Sequence, residues 1–195
     1  MKKRMLSVGI VAILLFAMAM VPAGAASDLK ITDYNLNSLQ NWGTWTQYKY
    51  TGWALLRWEY GPSILDATYQ KKRMVGDVPA ITVADMKGGY WGECVSLVKA
   101  LSKSTVATDG WAKGDNVVLT GSVKPGTAIA TFNSAGVYSG HVAIFRDYVR
   151  DSGGKIKEVL VWDQNYVSPY VVGRHNFKIA GSGVNNASSY YVVRV

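Results

Sequence analysis

In 195 residues the chain carries 21 Lys and Arg against 13 Asp and Glu, a formal charge of +8, yet it has one cysteine and two histidines. A single cysteine excludes an intramolecular disulfide framework, and so few His and Cys leave no ligand set for a zinc site. The basic excess suits an anionic polymer such as a cell wall, while no Lys/Arg run is dense enough to argue for nucleic acid.

The chain opens on Met1-Lys2-Lys3-Arg4, continues as an apolar run to about Met20, and ends that segment on Val21-Pro22-Ala23-Gly24-Ala25-Ala26. A basic start, a short apolar core and small residues before a cleavage point predict a secretory signal peptide over residues 1–25. The alternative, a retained membrane anchor, is disfavoured because the run is shorter than the ~20 residues a span prefers. No cysteine stands at the cleavage point to carry a lipid. The expected mature protein is exported, secreted or periplasmic, with no stable membrane insertion. Residues 26–87 form an aromatic-rich region holding Trp42, Trp45, Tyr48, Tyr50, Trp53, Trp58 and Tyr60. Rings at this density are expected mainly in the core, although a surface row of them could stack on sugars. "WALLRWEYG" (53–61) reads as a short helix ended by Gly61-Pro62.

Residues 88–101, "GGYWGECVSLVKAL", contain the lone thiol. Val95, Leu97, Val98 and Leu101 recur at helical spacing, and Gly88, Gly89 and Gly92 oppose a helix before them. The helix is therefore expected to begin at Gly92 or Glu93, with Cys94 in its first turn. Unpaired N–H groups and the positive dipole end there favour a thiolate. A lone exported cysteine is a buried inert thiol, an intermolecular linker or a nucleophile; glycines upstream and a helix start at the sulfur favour the third.

A nucleophilic thiolate wants a basic partner. "VKPGTAIATF" (123–132) reads as a turn at Pro125-Gly126 followed by a strand, and "GHVAIF" (140–145) as a buried strand carrying His141. Asp151-Ser152-Gly153-Gly154-Lys155 is a turn signal, and "IKEVLVWDQN" (156–165) returns as the second arm of an antiparallel hairpin. Counting back from the turn sets His141 opposite Asp163, Gln164 or Asn165. These polar residues either end a strand or hold the His141 ring, and the hairpin geometry favours the second. His175, in "VVGRHNF", reads as an ordinary half-exposed strand or loop residue whose replacement should cost little. "SSYYVVRV" (188–195) reads as a closing strand.

In that order, "GECVSLVKAL", Trp111, "VKPGTAIATF", "GHVAIF" and "VWDQN" resemble the CHAP and NlpC-type peptidoglycan amidases, over roughly residues 86–178. The likeness is closest to an exported bacterial branch with a "CVxLVK…GTAIATF…GHxAI…VWDQ" pattern. The resemblance implies an α+β, papain-like minimal fold in residues 88–195, with N-terminal helices, the cysteine at a helix start, and a small antiparallel sheet. It implies Cys94 as nucleophile, His141 as general base, and a third residue drawn from Asp163 and Asn165. The family's pattern there is Glu-x-Asn; "DQN" substitutes the shorter Asp163 for the glutamate, which leaves open which of the two contacts the histidine. Tyr90 and Gln164 fall to the oxyanion and substrate-binding set, Tyr90 being as readily an aromatic packed on the sheet.

The expected activity is hydrolysis of amide or peptide bonds in cell-wall peptidoglycan, with neither metal nor other cofactor. Two other readings stand beside it: a non-catalytic module on the same fold that binds the wall or a partner, and an amidase toxin delivered to other cells. The first draws on the aromatic region and the basic charge. Against it, every expected catalytic position holds a chemically competent residue.

Overall fold

A computed structural model describes residues 26–42, 47–48, 53–59, 61–67, 69–85, 90–166 and 170–195. The hairpin foreseen around Gly153 organises it. Asp151 Oδ1 accepts from the backbone N–H of Gly153 (3.1 Å) and Lys155 (3.0 Å), closing the turn between two long strands. In chain order the strands are β1 (Gln47–Tyr48), β2 (Trp53–Leu55), β3 (Gln70–Val75), β4 (Val78–Val83), β5 (Ala112–Asn116), β6 (Ala128–Phe132), β7 (Tyr138–Arg150), β8 (Ile156–Gln164), β9 (Val172–Lys178) and β10 (Tyr190–Arg194). The helices are α1 (Asp33–Gln40), α2 (Gly61–Ile64), α3 (Cys94–Ser102) and α4 (Val117–Thr120).

Eight strands form one antiparallel sheet in the order β1-β2-β9-β8-β7-β6-β10-β5, while β3 and β4 make a separate hairpin. His141 to Phe145 is buried without interruption because both faces of the sheet are covered. On one face Leu97, Val98 and Leu101 of α3 pack against Val142, Ile144, Trp162 and Val172. On the other, Ala143, Phe145, Val161, Phe177 and Tyr190 form a second apolar layer. Successive residues of β7 thus feed two different cores. Among the described residues no helix is long and apolar enough to cross a membrane.

The fold is α+β with a mostly antiparallel sheet, but it departs from expectation in its N-terminal part. Residues 53–55 are not helical: Ala54 and Leu55 pair antiparallel with Arg174 and Gly173 of β9. Sheet pairing and burial of Leu55 and Leu56 override the helix-forming content of the segment. The helices before α3 are only the short α1 and α2 among the described residues, and the sheet is larger than the small one foreseen. Trp42 is in the core and Trp58 packs against it. Residues 1–25, with the expected signal segment, and Trp45, Tyr50 and Tyr60 lie outside the described residues.

Candidate active site

The chain reaches α3 through a left-handed turn at Gly92 (φ +78°), where a Cβ would collide with that of Tyr170. Glu93 is the N-cap in extended conformation, and Cys94 is the first helical residue. This start is held from β8. Gln164 Oε1 accepts from Val83 N–H (2.8 Å), and its Nε2 donates to the carbonyls of Val83 (2.8 Å) and Glu93 (2.9 Å). Asn165, at φ +66°, donates from Nδ2 to Glu93 Oε2 (2.9 Å). The two amides therefore fix the loop that presents the thiol.

His141 follows Gly140, which has φ +100° and passes close to the Thr131 hydroxyl. That hydroxyl accepts from the His141 backbone N–H at 2.9 Å. The pairing of Ile144 with Trp162 makes Asp163 the diagonal neighbour of His141 on one face of the sheet. His141 Nε2 lies 2.6 Å from Asp163 Oδ2, which leaves Nδ1 for the Cys94 thiol, the ring's electrostatic partner on its other side. Tyr138 Oη stands 3.5 Å from the same sulfur.

These contacts set the charges. Burial alone would raise the Cys94 pKa, but the hydrogen bond and charge of His141, the Tyr138 hydroxyl and the Val142 backbone N–H together bring it below an ordinary thiol. Burial likewise opposes a charged His141. The carboxylate of Asp163 and the thiol nevertheless raise it to about 9. Asp163 is fully enclosed, which disfavours its anion, yet the neighbouring His175 and His141 hold its pKa below the usual carboxylate range. Burial keeps the Tyr138 phenol protonated far above neutral pH. Both shifts favour a thiolate–imidazolium pair backed by a carboxylate, an arrangement suited to nucleophilic attack on an acyl carbon.

The sulfur opens on a cavity of about 430 Å³ lined by Asp85, Tyr90, Glu93, Lys99, Thr108 and Tyr138, among others. Among the described residues no cluster of His, Cys, Asp and Glu is arranged to hold a metal ion.

The family model for domesticated amidase effector 2 (Dae2) matches residues 65–193, which include every one of these site residues. The chain belongs to the Dae2 family. It is accordingly a cysteine amidase. Among solved structures, a type 6 secretion amidase effector 2 (Tae2) aligns over 53% of this chain and 81% of its own, at 23% identity and a TM-score of 0.43. No curated protein matches the chain.

Within this Dae2 domain the structure brings Cys94, His141 and Asp163 together, and it turns Asn165 to Glu93 instead of to the histidine ring. A substrate-binding role for Gln164 is corrected. The side chain is fully buried, and its oxygen and both amide hydrogens are taken by backbone groups. Tyr90 stands on the cavity rim, 69% exposed, while its carbonyl accepts from Ser96 Oγ at 2.6 Å. Two residues went unrecognised in the sequence. Tyr138 opens β7 three residues before His141, a spacing that carries no motif. His175 is not half-exposed: it is 5% exposed, and its Nδ1 lies 2.9 Å from Asp163 Oδ1.

Proposed function

We propose that the protein is an exported enzyme that hydrolyses amide bonds in the peptide part of peptidoglycan. Cys94 is the nucleophile, His141 the general acid–base and Asp163 the residue that orients it. The observation that carries this reading is the Cys94–His141–Asp163 chain of contacts at the mouth of an open cavity, in a member of an amidase family. The thiolate attacks the scissile carbonyl carbon, and the C=O π electrons move onto oxygen. The backbone N–H of Cys94, the first residue of α3, has no helical acceptor and serves as a donor to that developing charge. Collapse of the tetrahedral intermediate breaks the C–N bond as the His141 imidazolium protonates the departing amine. The neutral ring then takes a proton from water as its oxygen attacks the thioester carbon, and breaking the C–S bond releases the carboxylic acid and restores the thiolate–imidazolium pair. Asp163, bound to Nε2, keeps Nδ1 directed at the sulfur throughout.

A CHAP- or NlpC-like, papain-type ancestry is consistent with the cysteine on a helix and the histidine on the sheet. Export, with cleavage after residue 25, rests on the composition of the first residues, and a wall substrate agrees with the basic net charge. The test is incubation of the mature chain with purified cell-wall sacculi, followed by mass analysis of released fragments. Peptides with newly formed carboxyl and amino ends are expected from the wild type and none from Cys94→Ala. Sacculi left unchanged by folded wild-type protein would overturn the substrate assignment.

A further inference from the structure

We propose that His175 is a positioning residue of the amidase site: it holds the far oxygen of Asp163 and so aims the near one at His141. The inference rests on the catalytic reading of Cys94 and His141 given above. Asp163 lies on β8 between β7 and β9, and the register sets Val161 opposite His175 and Asp163 opposite Gly173. His175 is therefore the diagonal neighbour of Asp163 on β9, as His141 is on β7. Each imidazole takes one carboxylate oxygen, His141 Nε2 at 2.6 Å from Oδ2 and His175 Nδ1 at 2.9 Å from Oδ1. The carboxylate is fully enclosed, and the groups that favour its charge are the two histidines.

The surroundings of His175 fix its ring. It stacks on Tyr166 with centroids 4.1 Å apart and planes 17° apart, and Phe177 meets it edge-on at 4.7 Å. The titratable groups around this pocket are Asp163 and Tyr166 from β8 and its exit, His141 from β7 beyond the carboxylate, and Tyr190 from β10, stacked on Phe177. His175 does not line the cavity and touches no reacting atom. Its influence on catalysis must pass through Asp163. Without it, Oδ1 becomes a desolvated, unpaired carboxylate oxygen. The carboxyl group then turns or takes up a proton, and the support for the imidazolium at His141 weakens with it.

The experiment compares wild type, His175→Ala and His175→Asn in three readouts: melting temperature, kcat and KM on sacculi, and the pH dependence of Cys94 alkylation by iodoacetamide. The alanine variant is expected to lose roughly 10- to 100-fold in kcat, the usual scale for losing a group that orients a reactive one, with KM little changed. Its alkylation profile moves to higher pH, because less thiolate is present near neutrality. Asparagine places an N–H where Nδ1 stood, and it recovers most of both effects. If the alanine variant does not fold, His175→Gln replaces it. Its amide reaches the Nε2 position instead, so it should behave as the deficient variant beside asparagine. A lower melting temperature with wild-type kcat and an unmoved alkylation profile would make His175 structural and overturn the inference, as would an asparagine variant no better than alanine. Alkylation needs no substrate. A shifted profile in a protein whose wild type leaves sacculi intact therefore supports the positioning role and overturns only the substrate assignment.

Discussion

The two sides of Asp163 match in burial and in strand position and differ in what lies beyond them. On each, a histidine 5% exposed meets one carboxylate oxygen at hydrogen-bonding distance from a neighbouring strand. Beyond His141 come the Cys94 thiol, the Tyr138 hydroxyl and the open cavity. Beyond His175 come the rings of Tyr166 and Phe177. Burial and a carboxylate partner thus do not distinguish a general base from a prop; access to the reacting atom does. The comparison also explains how one sheet can hold a buried anion, since Asp163 has a donor on each side and an unpaired carboxylate oxygen on neither.

Removing the reacting side should have the largest effect. Cys94→Ala is expected to abolish hydrolysis while leaving the melting temperature close to wild type, because a small side chain replaces a small one. His141→Ala should lower kcat by ~10²–10⁴-fold, the usual worth of general acid–base help, as measured by initial rates of amine release. Asp163→Asn sharpens the comparison because it removes the shared charge with little change of shape. Wild-type activity should follow a bell-shaped pH profile, rising below the ordinary thiol range as Cys94 deprotonates and falling around 9 as His141 loses its proton. Without the Asp163 anion the His141 pKa drops, so the alkaline limb of the Asn variant should move to lower pH and the maximum should fall. Gln164→Ala strands the backbone N–H of Val83 in the interior, while the Val83 carbonyl keeps the N–H of Gly92. It should lower stability by about 1–3 kcal/mol in urea unfolding, with a slower rate only insofar as the start of α3 loosens. Tyr138→Phe removes one hydrogen bond to the sulfur and should reduce kcat by up to about tenfold, with the acid limb displaced upward.

What could be read from the chain follows the same division. The Cys94 helix start and the β7–β8 hairpin are local: glycines, a helical apolar period and the Asp151–Lys155 turn specify them within a few residues. His141 and Asp163 meet because that single turn sets their register. The β8–β9 register has no such marker. The alternation of "VGRHNFK" describes a strand without saying which face is covered. The burial of His175 was invisible for that reason. Gln164 read as part of a polar strand end because its partners, Val83 and Glu93, come from segments more than 70 residues away. Residues 53–55 misled in the opposite sense: Ala and Leu favour a helix in isolation, but the edge of β9 offers them paired backbone groups and a buried Leu55.

The central claim is that Cys94 is a thiolate nucleophile supported by His141, and its alkylation rate tests this most directly. Native protein is treated with iodoacetamide from about pH 5 to pH 9, and the label and the residual hydrolysis are followed together. A nucleophile in this setting reacts at about pH 6 much faster than free cysteine, whose pKa is about 8.5, and each labelled molecule loses activity. A thiol that resists the reagent until the protein unfolds, or that reacts only as pH approaches the ordinary thiol range, would contradict it.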